Sequence, residues 1–262
     1  MNEDSSTSTG SPLENPTVNA GIPAPRTLRP RRSTLAGVLL AGILCDILLL
    51  AYGMVAHPAS RGASAEDLLL ESLLVVLLFL YLYAALYGTR EYDRVDHWIH
   101  RQGLVFGLAV GAMWAGEVLN SNLGDTVIFG SLRTVQYGLY RAIGATFIAA
   151  VPVLILLAAG LAARKTGQLG AGVRVGLWSG LTGGLVAVGI LLVMTYLFMG
   201  ALQGSPSVLN GFTASREPDI VAYLVKDARI AGTAYLALAM LLGAGLGAIG
   251  GLVGRRLARL NR

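Results

Sequence analysis

Six long apolar runs, at about 34–56, 66–88, 103–122, 141–163, 173–202 and 229–254, take up most of this 262-residue chain. A helix needs roughly 20 residues to cross about 30 Å of hydrocarbon, and every run meets that length. Lipid offers the backbone no hydrogen-bond partner, so such runs can cross only as helices or closed barrels. Unbroken apolar sequence, without period-two alternation, selects helices. The chain is therefore expected to be all-α, a polytopic bundle of six transmembrane helices over 33–262, with a polar, disordered tail over 1–32. Apolar residues make up 54% of the sequence against 13% charged, too little polar surface for a sizeable soluble domain.

Basic residues set the expected orientation, because arginine and lysine beside short loops stay on the cytoplasmic side. Placing both termini inside puts fourteen of the 20 basic residues there, including Arg26, Arg29, Arg31 and Arg32 in the tail and Arg255, Arg256 and Arg259 at the other end. A bacterial-type plasma membrane with both termini cytoplasmic is the matching localisation. The net charge of +5 follows the same pattern, so it is assigned to membrane topology and nucleic acid is not expected as a partner. The single cysteine, Cys45, lies in an apolar run and excludes an intrachain disulfide. Ala63-Ser64-Ala65 has the small-x-small form of a signal-peptidase site, but the run before it exceeds an ordinary signal core, so the first span is read as retained. Thr126 to Tyr140 reads as a helix lying at the outer interface, and 203–218 as an exposed turn region.

Glycine numbers 34, nearly twice the usual share of about 7%. Its spacing carries more information than its count: Gly103, Gly107 and Gly111 in the third span, Gly176, Gly180 and Gly184 in the fifth, and Gly243, Gly247 and Gly251 in the sixth each recur every four residues. Apolar burial gives helices in lipid little reason to associate, so close backbone approach along small-residue rows supplies the packing. Spans three, five and six are accordingly expected at the centre, and the Leu-rich second span mostly against lipid.

Three carboxylates fall in the interior of the runs, away from their first residues: Asp46 near the middle of the first, and Glu71 and Glu117 in the outer thirds of the second and third. An acid at mid-membrane costs roughly 2.5–3.5 kcal/mol, so it calls for an explanation. A carboxyl in low dielectric stays neutral, pairs with a cation, or takes up and releases protons. Gly42, Asp46 and Gly53 share one helical face, which should point into the bundle. Asn120 and Ser121 extend the polar strip beyond Glu117, and Arg141, with Arg133 second, is the nearest expected counter-charge.

The segment REYDRVDHWIHRQG brings Asp93, Asp96, His97 and His100 to one face if helical, acceptable ligand types for a divalent metal. Arg90, Arg94 and Arg101 crowd it and would repel a cation, so an interfacial helix anchored by Trp98 is expected and no metal or other cofactor. No Walker loop, HExxH or dinucleotide fingerprint occurs, and Ser179-Gly180 has no base within its span, so no enzyme is expected. The functional expectation is a small permease-like protein whose Asp46, Glu117 and Glu71 form a site responsive to protons or cations. The alternative is a non-catalytic accessory or scaffold subunit that packs through its glycine ridges on another membrane subunit or a second copy. The lipid bilayer is the one partner both readings share.

Overall fold

The computed structural model describes residues 31–58, 65–91, 94–123, 135–215, 217 and 219–260. Six helices long and apolar enough to cross a membrane form a bundle: α1 (Thr34–Ala56), α2 (Ala65–Tyr83), α3 (Arg94–Leu123), α4 (Val135–Thr166), α5 (Leu169–Leu197) and, after two short helices α6 (Met199–Gln203) and α7 (Pro206–Ser215), α8 (Ile220–Leu260). The expected all-α membrane bundle is the observed architecture. Its only extended pairing among the described residues is a two-residue antiparallel contact, Arg31–Arg32 with Arg90–Glu91. The rest of the expected tail, 1–30, lies outside the described residues.

Local chemistry explains where the helices begin and end. Ser33 caps α1, its hydroxyl accepting from the Ala36 amide at 3.2 Å. The third helix starts at Arg94 rather than near 103, because the histidine segment contains no Gly or Pro from Arg94 to Gln102 and simply continues the helix. The sixth starts at Ile220 rather than 229: the Asp219 carboxylate accepts from the amides of Val221 and Ala222 at 3.3 and 3.1 Å. With 41 residues α8 is roughly 60 Å long, about twice the hydrocarbon thickness, so it projects beyond the bilayer. The fifth ends at Leu197 instead of 202, where Phe198 leaves helical geometry at φ −109°, ψ 19°. The stretch read as an exposed turn, 203–218, holds α7, while α6 occupies the last residues of the expected fifth run and reaches only to Gln203. Of the expected interfacial helix, 135–140 is the first part of α4 and 126–134 lies outside the described residues.

The helix enclosed by the others is α5, with 72% of its most apolar stretch buried against 22–33% for the other five spans. Spans three and six flank it instead of sharing the centre. On the α8 side the contact is backbone to backbone: a Cβ at Gly172 would stand 2.6 Å from Gly251 Cα, and one at Gly176 2.5 Å from Gly247 Cα. On the α3 side glycines receive side chains: Gly103 meets Trp178, Gly107 meets Thr182 and Gly111 meets Val186. A second row on α8, Gly250 and Gly254, lies against Ala159 and Gly160 of α4.

The second helix presents Leu69, Val76, Phe79 and Tyr83 outward. It is anchored by Tyr81, buried at 1% exposure, whose hydroxyl donates to the Leu236 carbonyl at 2.9 Å and occupies the space left by Gly184. One π-helical turn (Ala84–Gly88) ends it, and Gly88 there passes the Trp178 ring.

Candidate functional site

The buried residues of α1 are Leu35, Ala36, Leu39, Ile43, Asp46, Leu50 and Gly53, a three-and-four spacing that makes one stripe against α5. Asp46 thus stands in an otherwise apolar seam, 1% exposed. Gly42 rests on Leu185, Gly53 on the Tyr196 ring, and Gly189 leaves room for the carboxylate, whose Oδ1 is 3.1 Å from where a Gly189 Cβ would be. Asp46 Oδ2 has no hydrogen-bond partner. It lines a laterally open groove of about 290 Å³ between α1 and α5, together with Val38, Cys45 and Thr182. The Thr182 hydroxyl is also buried without a partner. Two of the residues lining one groove therefore carry an unsatisfied polar atom in nearly all-apolar surroundings, an arrangement that costs free energy unless something supplies a hydrogen-bond partner.

The other two acids have internal partners. Glu71 Oε1 accepts from Arg229 Nη1 at 2.8 Å; the arginine is buried at 8% exposure, while the glutamate side chain is 39% exposed. One turn away on α8, Lys226 bridges Asp67 at 2.9 Å and Glu217 at 2.7 Å, so a short ladder of ion pairs ties the start of α2 to α8. Glu117 Oε2 accepts from the Tyr235 hydroxyl at 2.6 Å, and the Tyr235 ring meets Trp114 edge-on at 5.7 Å. The three carboxylates are distributed over different helix pairs and do not surround one void: neither Glu71 nor Glu117 lines the Asp46 groove.

The expected counter-charges stand elsewhere. Arg141 is exposed on α4, and Arg133 lies outside the described residues. The polar strip beyond Glu117 is tied to α4: Asn120 donates to the Tyr140 carbonyl and the Tyr140 hydroxyl to the Ser121 carbonyl, both at 3.3 Å. In the histidine segment Asp96 accepts from Arg174 at 2.7 Å, His100 is buried edge-on to Trp178, and the Lys165 ammonium sits 4.3 Å from the Trp98 ring centre. Asp93 lies outside the described residues, among which no cluster of metal-ligating side chains occurs.

Arg229 and Tyr235, the hydrogen-bond partners of Glu71 and Glu117, are not singled out by the sequence. Their signal was faint, an arginine at a span end and a tyrosine in an apolar helix. No protein-family model, curated protein or solved structure matches the chain.

Proposed function

We propose that this multi-pass membrane protein is a non-catalytic accessory or scaffold subunit that holds another membrane-embedded component laterally, through the groove between α1 and α5. The observation that carries the reading is Asp46: of the three acids singled out in the spans it alone has no hydrogen-bonded partner among the described residues, and although buried it lines an open groove between α1 and α5. The glycine rows of α5 and α8 are occupied by each other, so this reading moves the docking surface from the ridges to the groove. Both termini on the cytoplasmic side belong to the same proposal, supported by the basic residues at the tail and at the α8 end.

A coupled permease is the second reading. What favours it is the same unpartnered carboxyl, a group able to carry a proton; what weakens it is the separation of Asp46 from Glu117, which a shared path would have to join. Two experiments divide the readings. Native mass measurement after extraction in lipid nanodiscs should give a species heavier than the 27.4 kDa chain, and a strictly solitary chain would remove the scaffold. Loss of a coupled flux in Asp46→Asn, with assembly unchanged, would restore the permease.

A further inference from the structure

The face of α1 beside the groove carries Gly37, Ala41 and Cys45, a row of small residues at spacing four, all exposed and turned away from the bundle. Gly37 has nothing within 4 Å of where its Cβ would be. The row ends at Cys45, which lines the groove together with Asp46 and Thr182, whose Oδ2 and hydroxyl are buried without a hydrogen-bond partner. Small residues permit close approach of a helix backbone, and an unpartnered acid nearby supplies a reason for a particular helix to approach.

We propose that this groove seats one transmembrane helix of a different membrane protein, which meets Asp46 with a lysine or arginine side chain near the middle of its own span. The proposal rests on the lateral-docking reading and names the partner's chemistry. Charge complementarity selects the cation. An acid and a base each cost free energy when held separately in hydrocarbon, and both costs fall when they meet as a hydrogen-bonded pair. The depth of Asp46, the thirteenth of 23 residues in α1, requires that cation at mid-membrane. A second copy cannot provide it: among the described residues no basic side chain lies in the middle third of any span, and Lys226 and Arg229, farther out, are held by Asp67, Glu217 and Glu71.

Cys45, the sole cysteine and exposed at the groove, gives the assay. The full chain in phosphatidylcholine bilayers is mixed with a synthetic Leu/Ala transmembrane peptide bearing one mid-span lysine and one cysteine a turn away, then oxidised. The expected disulfide-linked yield is about tenfold above that of the same peptide with leucine for lysine, as a membrane hydrogen bond of ordinary strength gives. Asp46→Asn should bring the lysine peptide down to the leucine level. Ala41→Leu, which obstructs the seat without touching the acid, should lower the yield and leave thermal unfolding unchanged, which guards against a misfolded Asp46 variant. Equal yields for the two peptides overturn the proposal, as does a dominant Cys45–Cys45 product at twice the chain mass. If a complex extracted from native membranes survives Asp46→Asn, this inference falls and lateral docking stands; a solitary chain in that extraction removes the docking reading itself.

Discussion

Replacing Gly176 by alanine should push α5 and α8 apart, because the three atoms nearest the new methyl are all backbone. Its Cβ would lie 2.5 Å from Gly247 Cα, 2.6 Å from the Gly243 carbonyl oxygen and 3.1 Å from Gly247 N. Carbon atoms prefer about 3.5–4.0 Å, so the helices must separate by about 1 Å, and a gap of that size forfeits roughly a quarter to a half of each dispersion contact. A few tens of atom pairs along the seam from Gly172/Gly251 to Gly180/Gly243, at about 0.1–0.2 kcal/mol each, put the loss near 2 kcal/mol, in the usual range for overpacking. Alanine's better helix propensity returns at most about 1 kcal/mol. Gly245→Ala is the control: it lies on α8 between Gly243 and Gly247 but has nothing within 4 Å, so it should be neutral or slightly stabilising. Reversible unfolding in mixed micelles, followed by circular dichroism, compares the two. Equal effects at 176 and 245 would refute the claim that this seam is closed by backbone contact.

The buried polar groups make two further predictions. Glu71→Gln leaves Arg229, 8% exposed, without its carboxylate; the pair's partial exposure on the glutamate side limits the loss to about 1–3 kcal/mol, read as a lowered unfolding midpoint, whereas Arg229→Met should cost less. The two core tyrosines should respond in opposite senses to loss of their hydroxyls. Tyr81→Phe gives up the bond to the Leu236 carbonyl and should lose about 1 kcal/mol, while Tyr196→Phe removes a buried hydroxyl with no partner and should be neutral or stabilising in the same unfolding assay.

The six spans could be read from the chain because each is long and apolar enough to leave few alternatives, and α1 falls at 34–56 both by hydropathy and in the structure. Boundaries drifted where polar sequence continues a helix. The Arg94–Gln102 segment and the turns of α8 from Ile220 look like loops by hydropathy, yet Asp219 caps one and the Asp96–Arg174 pair holds the other. The stripe that buries Asp46 is a spacing and was therefore legible. Partners were not: Glu71 and Arg229 are 158 residues apart, and Glu117 and Tyr235 are 118, so their meeting depends on the register between helices, which no local pattern records. For the same reason Asp46, Glu71 and Glu117, alike in the sequence, have three different environments. The groove beside Asp46 is lined by residues of both α1 and α5, Gly42 and Gly189 among them, and is a property of the pair of helices and of neither alone.

A double-mutant cycle between the chain and the transmembrane peptide tests the central claim most directly, by combining Asp46→Asn with replacement of the peptide's mid-span lysine by leucine and measuring all four affinities in the bilayer. The account predicts a coupling of about 1–2 kcal/mol between the two positions, the value of one interhelical hydrogen bond in lipid. Losses that add to within about 0.3–0.5 kcal/mol would contradict it, since Asp46 would then have no part in choosing its neighbour.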